Sequence, residues 1–407
     1  MHVLQFVLNT INNKRIYVLS IPKTKIKIEI HHIGVLSMRI AFISPMIRTI
    51  KGKGIYQIQL ANIAKGLKKL KKHEFFYVVP SDDAMEFLRQ SKVKEECVIS
   101  LKIRRSLISY FPINIGILYD YEPHLNNIIN DLDPDIIVSM EDCSYLTLKL
   151  CLLKFKYGKS YKLISYHGPY SYLGRIQSIH KIYSKYICRY IFPKCIDIIV
   201  TKTEYAKSFL RNIYQDKIPL IKIPPAIDTK FFRPIKNIDK ENQVLYVGRL
   251  NFNKGFDILL KTILYAISRE NTIKFKIITT KNYYVDNLIK IIKSNDNLAK
   301  RVEIKTNISL SAVVEEYNRS LVTINTSRYE IFGMTIAESL SCMTPVIATP
   351  TAGAKEIIVH NFNGIITKEI DHITLTNNLI NLINNRTIYN YLKNNSRKSI
   401  IDRFSIE

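Results

Sequence analysis

Short apolar runs alternate with longer amphipathic stretches along this chain, and the alternation occurs twice. Residues 39–44, 75–79, 136–139, 163–166 and 196–200 are dense in Ile, Val and Leu. Runs of this kind read as strands buried on both faces, the pattern of a parallel sheet. Stretches of helical period lie between them, such as Tyr56, Leu60, Ala64 and Leu67. Pro224, Pro225 and Pro234 punctuate an irregular connector. A second series then opens at 244–247 and continues at 274–278, 302–304, 321–325, 345–348 and 364–366. The pattern predicts an α/β chain of two Rossmann-like, doubly wound parallel sheets facing a cleft at the carboxyl ends of their strands. It places an extension outside the fold at 1–37, a first domain at 38–220 and a second at 221–407. Met38 leads straight into a strand, so folding is expected to begin there.

Charge narrows the partners. The chain carries 60 Lys and Arg against 34 Asp and Glu, a formal +26, and residues 38–220 hold 29 of those cations against 16 acids. No acidic residue occurs from 30 to 73 or from 143 to 196. The first stretch includes Lys51, Lys53, Lys65, Lys68, Lys69, Lys71 and Lys72. The second runs from Lys149 to Lys194 with Tyr183, Tyr186, Tyr190 and Phe192 interleaved. An anionic membrane surface or an anionic glycan lipid suits that mixture, and solvated surface lysine is the plain alternative. No nucleic-acid motif accompanies the charge, so nucleic acid is not an expected partner. No run approaches 18 apolar residues, which excludes a spanning helix as a sequence expectation. The six cysteines show no C-x-x-C or finger spacing and read as free thiols of a cytoplasmic protein, at most peripheral to the inner membrane face.

Three signals carry chemistry, each at the end of a strand in the second half. Gly248-Arg249-Leu250 and then Asn253-Lys254-Gly255 follow the first strand. A planar guanidinium and an ammonium five residues apart, with glycine to admit backbone amides, suit a diphosphate. The second signal runs from Glu330 through Phe332, Gly333, Met334 and Thr335 to Glu338. Both carboxylates are expected to face one crevice, with the amides of a helix N-terminus between them. Ionised carboxylates only accept hydrogen bonds, so they pair with vicinal sugar hydroxyls. The third is Thr349-Pro350-Thr351-Ala352-Gly353, whose small residues allow close approach of a ligand. Asp131-Leu132-Asp133 has the letters of a metal motif but reads as a loop ahead of a first-half strand, and no metal or other cofactor is expected.

From Met38 onward the sequence resembles glycosyltransferase family 4, the retaining group of GT-B architecture. The glutamate pair Glu330 and Glu338 is the most specific match. Gly248-Arg249 with Lys254-Gly255, Ile223-Pro224 to Asp228, His167-Gly168, the Gly52 and Gly54 loop and Asn363-Gly364 follow in the family's order. The resemblance implies that Arg249 and Lys254 hold a donor diphosphate and Glu338 the ribose hydroxyls. Glu330 would contact the transferred sugar, and Phe332, Gly333, Met334 and Thr335 would line the sugar and phosphate. Gly248, Gly52 and Gly54 would belong to the donor site, and His167 would reach the donor sugar from the first domain. Departures include Pro225-Ala226 where the family has Asn-Gly, Thr279-Thr280 in place of a glycine-bearing loop and Ala352-Gly353 in place of a glycine pair. The family also continues, near this chain's last residues, into a helix that crosses back to the first domain. The implied activity is metal-free, retaining transfer of a hexose from a nucleotide-diphosphate sugar to a glycan, lipid-linked or small-molecule acceptor. A catalytically silent relative acting as a binding subunit, or a basic binder of anionic polymers, are the alternatives.

Overall fold

The structure is a computed structural model that describes residues 37–44, 63, 67, 73–79, 94, 97–101, 104–105, 119–120, 124–140, 145–158, 160–167 and 184–406. Two all-parallel sheets carry it. The first contains β1 (Arg39–Ile43), β2 (Glu74–Val79), β3 (Val98–Ser100), β6 (Ile136–Ser139), β7 (Lys162–His167), β8 (Ile198–Thr201) and β9 (Leu220–Lys222). Their order is β3-β2-β1-β6-β7-β8-β9, while β4 (Arg104–Arg105) and β5 (Tyr119–Asp120) form a separate antiparallel pair. The second sheet contains β10 (Glu241–Val247), β11 (Lys274–Thr279), β12 (Val302–Thr306), β13 (Ser320–Asn325), β14 (Val346–Ala348) and β15 (Gly364–Ile366), in the order β12-β11-β10-β13-β14-β15.

Each sheet therefore grows to one side of its first strand and then to the other. The reversal falls between β1 and β6 in one sheet and between β10 and β13 in the other. Crevices open at the carboxyl ends of the strands at such reversals. The expected α/β architecture is present, and all eleven strands anticipated from the apolar runs are found. The short edge strands β3 and β9 were not anticipated, because three residues each, of which only Val98 is buried, leave no run to detect.

Both faces of each sheet are covered, which explains why these strands are apolar throughout. Ala41, Ile43, Ile137, Leu163 and Ile199 enter one core, and Ile40, Phe42, Ile136, Ile164 and Ile198 enter another on the opposite face. The second sheet divides in the same way, with Val244, Phe275, Val322 and Ile347 on one face and Leu245, Ile278, Val346 and Ala348 on the other.

Three expectations are corrected. Cys151 and Cys195 are disulfide-bonded with their Cα atoms 5.4 Å apart, whereas Cys342 is a free thiol. The pair is 44 residues apart and is brought together by packing of the helix Tyr145–Tyr157 against the lead-in to β8, so no local spacing announces it. Asp131 lies in the last turn of the helix His124–Leu132, and Asp133 follows it with φ 38°, so this acidic pair is not simply loop. Phe192, grouped by sequence with the surface aromatics, is fully buried. The proposed extension at 1–37 lies almost wholly outside the described residues, as do Gly52, Gly54, Tyr183 and the lysines from Lys51 to Lys72.

Candidate active site at the second sheet's strand reversal

The loop after β10 is built to hold one lysine. Asn251 accepts a hydrogen bond from the Lys254 amide at 2.9 Å, capping the tight turn Phe252–Lys254. Gly255 ends that turn at φ 65° and starts the helix Phe256–Arg269. A Cβ on Gly255 would sit 1.9 Å from the Thr326 carbonyl oxygen, so only glycine lets this loop meet the one after β13. Thr326 Oγ1 donates to the Lys254 carbonyl at 2.8 Å, and the Arg328 and Tyr329 amides donate to Asn253 O at 2.8 and 3.2 Å. Arg328 grips Asp257 bidentately at 2.6 and 2.8 Å and lies 4.2 Å over the Phe252 ring.

These contacts place the Lys254 ammonium against the Glu330 carboxylate as an ion pair, with both side chains largely withdrawn from solvent. A withdrawn charge pair costs desolvation that its own attraction only partly offsets. A diphosphate entering beside Lys254 would therefore meet a cation already oriented by its partner. Arg249, five residues earlier, is exposed and forms no ion pair among the described residues. Its carbonyl accepts from the buried Tyr246 hydroxyl at 3.2 Å, which fixes the backbone from which the guanidinium projects. Burial, and then the Glu330 charge, push the Tyr246 phenol well above its ordinary pKa.

The loop after β13 is fixed from a third side. Gly353 donates its amide to the Glu330 carbonyl at 2.8 Å, and a Cβ on it would lie 2.4 Å from Phe332 O. Phe332 is only 4% exposed and meets Phe404 edge-on at 5.5 Å, so it anchors the loop rather than lining an open surface. Gly333, at φ 87°, then starts the helix Met334–Ser341, and no side chain caps it. The Met334 and Thr335 amides therefore stand at an uncapped helix N-terminus next to Glu330, a setting that favours anionic groups.

Glu338 does not share Glu330's setting. It is 7% exposed and accepts a hydrogen bond from Tyr317 Oη at 3.0 Å. Burial pushes its carboxyl up to about 7, against the opposing pull of the tyrosine hydroxyl. The expected pair of glutamates thus resolves into one carboxylate held by a lysine and another held by a tyrosine.

Of the remaining predicted residues, Gly248 follows β10, where a Cβ would lie 3.2 Å from the Tyr246 hydroxyl. His167 is the last residue of β7, in register with Thr201 of β8, at the carboxyl end of the first sheet. Asp131 and Asp133 stand just ahead of β6, at the opposite end of that sheet from His167. Residues missed by sequence reasoning include Tyr246, Tyr317, Asn251, Thr326 and the Asp257–Arg328 clamp. The tyrosines occupy positions whose period reads as core, and the others acquire partners only through folding.

Residues 228–399 match the family model for group 1 glycosyl transferases. Over 175 residues the chain is 23% identical to an uncharacterized glycosyltransferase of Methanocaldococcus jannaschii, covering 43% of this chain and 44% of that one. Over 180 residues it is 24% identical to the poly(ribitol-phosphate) alpha-N-acetylglucosaminyltransferase of Staphylococcus aureus, covering 42% and 34%. These alignments span less than half the length of either relative. Across nearly its full length the fold is similar to Anabaena HepE in its complex with UDP, with a TM-score of 0.72, 16% identity and coverage of 91% and 96%. The architecture is that of the GT-B glycosyltransferases.

Proposed function

We propose that this chain is a retaining glycosyltransferase that moves a hexose from a nucleoside diphosphate to an acceptor hydroxyl on a glycan, a lipid-linked sugar or a small molecule. The observation that carries the reading is the convergence of Lys254, Glu330 and the uncapped helix at Met334 where the strand order of the second sheet reverses. Residues 221–407 take the donor in this reading, and 38–220 take the acceptor. The match of residues 228–399 to group 1 transferases and the UDP held by HepE support a nucleotide donor.

In the proposed reaction the bond from the anomeric carbon to the diphosphate oxygen breaks, and its electron pair goes to the diphosphate. Arg249, Lys254 and the Met334 and Thr335 amides stabilise that charge; two cations and a helix terminus can neutralise it without a metal. Glu330 leaves Lys254 for the hydroxyls of the sugar, while Glu338 accepts from the ribose. The acceptor oxygen bonds to the anomeric carbon on the face the diphosphate leaves, and its proton passes to a departing phosphate oxygen. In this reading His167, at the carboxyl end of β7, is assigned to the donor sugar from the first sheet.

The test is thermal stabilisation of the full chain by UDP, GDP, ADP and their hexose conjugates, followed by transfer or slow donor hydrolysis with whichever binds. A ligand at 100 times its Kd adds about 2.7 kcal/mol of stability. Stabilisation by one nucleotide family and anomer-retaining turnover are expected. Stabilisation without turnover would favour the silent binding subunit, and no stabilisation by any nucleotide would end this reading.

A further inference from the structure

The helix Tyr145–Tyr157 is apolar on both sides. Leu146, Leu150, Cys151 and Leu153 are buried in the first sheet's core, yet Leu152 and Phe155 on the outer side are 44% and 52% exposed. The half-buried Leu148 is in line with them at helical spacing, and exposed Lys156 borders the stripe. An ordinary surface helix keeps its outer face polar.

The neighbouring segment has the same character. The helical turn Ser184–Ile191 buries Cys188 and turns Tyr186 and Tyr190 outward, 53% and 54% exposed. The strands β6, β7, β8 and β9 are sequential parallel neighbours, so their right-handed crossovers lie on one face of the sheet. One core cluster unites Leu150, Cys188, Phe192 and Leu210 from those crossovers. The Cys151–Cys195 disulfide and a 3.0 Å bond from Lys154 Nζ to Cys195 O clamp the first two crossovers together. The outward Leu152, Phe155, Tyr186 and Tyr190 therefore belong to one layer.

The sign of that layer selects its partner. The sequence holds no Asp or Glu from 143 to 196, and the flanking Asp197 is taken up by Lys154 and Lys162. Lys156, Lys194 and Lys217 are exposed, and Arg189 and Lys217 lie 5.9 and 5.5 Å over the Tyr190 ring. Leucine and phenylalanine flanked by tyrosine and lysine, with Asp216 beside Lys217 paired to Arg211 at 3.0 Å, match the apolar–interfacial–phosphate gradient of a lipid surface.

We propose that this layer docks on a bilayer surface rich in anionic lipid. Leu152 and Phe155 enter the headgroup–acyl boundary, Tyr186 and Tyr190 lie at headgroup level, and the cations meet lipid phosphates. The inference stands apart from the transfer reading and does not need it.

The test is co-sedimentation of the full chain with vesicles of phosphatidylcholine alone and with 30% phosphatidylglycerol, at low and high salt. Binding to the anionic vesicles alone, weakened by salt, is expected. Lys156→Glu should weaken it at least about fivefold, and the double variant L152D/F155D on the order of tenfold or more, with unchanged circular dichroism and melting temperature. Tyr186→Ser is a second, milder variant should the double variant melt early. Absence of binding to anionic vesicles would overturn the proposal, as would binding that neither L152D/F155D nor Tyr186→Ser alters. Concentration-dependent dimers abolished by L152D, without vesicle binding, would also overturn it and make the layer a contact between copies. Equal retention on a soluble polyphosphate by wild type and L152D/F155D, again without vesicle binding, would reduce the layer to its charge and sink the idea.

Discussion

Glu356 reaches from the second sheet's domain to Lys222 at the end of the first sheet. Its Oε1 lies 3.0 Å from the Lys222 ammonium, and its Oε2 accepts the Glu204 amide at 3.1 Å, the first amide of the helix Glu204–Tyr214. Glu356 sits on the short helix Ala352–Ile357, the same helix whose Gly353 pins Glu330. The loop that fixes the candidate site is thereby tied to the other sheet. Lys222 is partly exposed and also pairs with Glu204 at 3.1 Å, so the contact is worth little more than a surface bridge. Glu356→Ala should cost about 1 kcal/mol in urea unfolding, with the gap to wild type narrowing in high salt. An unchanged midpoint at low salt would show that the bridge contributes nothing to stability.

The buried Glu338 makes stability depend on pH with a definite sign. Its folded carboxyl titrates at about 7, above the ordinary 4.5. As pH rises from 4.5 to 7 the unfolded chain has lost this proton while the folded one keeps it. Folding therefore becomes less favourable across that window, by roughly 3 kcal/mol in all. Subtracting the Glu338→Gln profile from wild type isolates this group, and the difference should fall toward pH 7 and flatten above it. A ligand whose hydroxyls donate to Glu338 favours the ionised form. Nucleotide affinity should thus weaken about tenfold per unit as pH drops below 7, and this dependence should vanish in Glu338→Gln. A flat difference profile would place the Glu338 titration elsewhere.

The strands and the strand-end loops were legible because both rest on local pattern. Ile136–Ser139 or Val346–Ala348 can only be buried strands, and glycine beside a cation at a strand end marks close approach. What escaped sequence reading depends on long-range contact. Glu338 and Glu330 look alike eight residues apart, yet Tyr317, on another helix, withdraws one, and Lys254, 76 residues before Glu330, claims the other. Phe332 reads as a ligand contact by its place in the motif. Phe404, far along the chain, makes it a packing residue. The Cys151–Cys195 bond eluded reading for the same reason.

Two glycines offer a paired test of site geometry. A Cβ on Gly353 would stand 2.4 and 2.5 Å from the Phe332 carbonyl, a contact that only backbone movement relieves. Gly353→Ala should destabilise by more than about 2 kcal/mol and disturb the Glu330 loop. Gly158, at φ 59° with nothing within 4 Å, is strained only in its dihedrals. Gly158→Ala should cost about 1 kcal/mol and leave nucleotide binding intact. Comparable melting temperatures for both variants would refute the tight packing of Gly353 on Phe332.

The two cations after β10 give the sharpest test of the proposed chemistry. Arg249→Ala and Lys254→Ala should each lower turnover at saturating donor by about 10²–10³, the usual cost of one preorganised group serving transition-state charge. Arg249→Lys should also be slow, since a point charge does not replace a planar fork. Lys254→Ala carries a second effect, because it strands Glu330 as a withdrawn carboxylate without its partner. The double variant Lys254→Ala/Glu330→Gln separates the two contributions. If the lysine serves the diphosphate, neutralising Glu330 restores thermal stability but the double variant is slower than Glu330→Gln alone. If it serves only to neutralise Glu330, the double variant regains stability and turns over as fast as Glu330→Gln alone. In the proposed reaction these side chains take the electrostatic role of a metal, so chelator should leave wild-type turnover unchanged. Turnover abolished by EDTA and restored by a divalent ion, or near-normal rates in both alanine variants, would move the diphosphate away from Arg249 and Lys254.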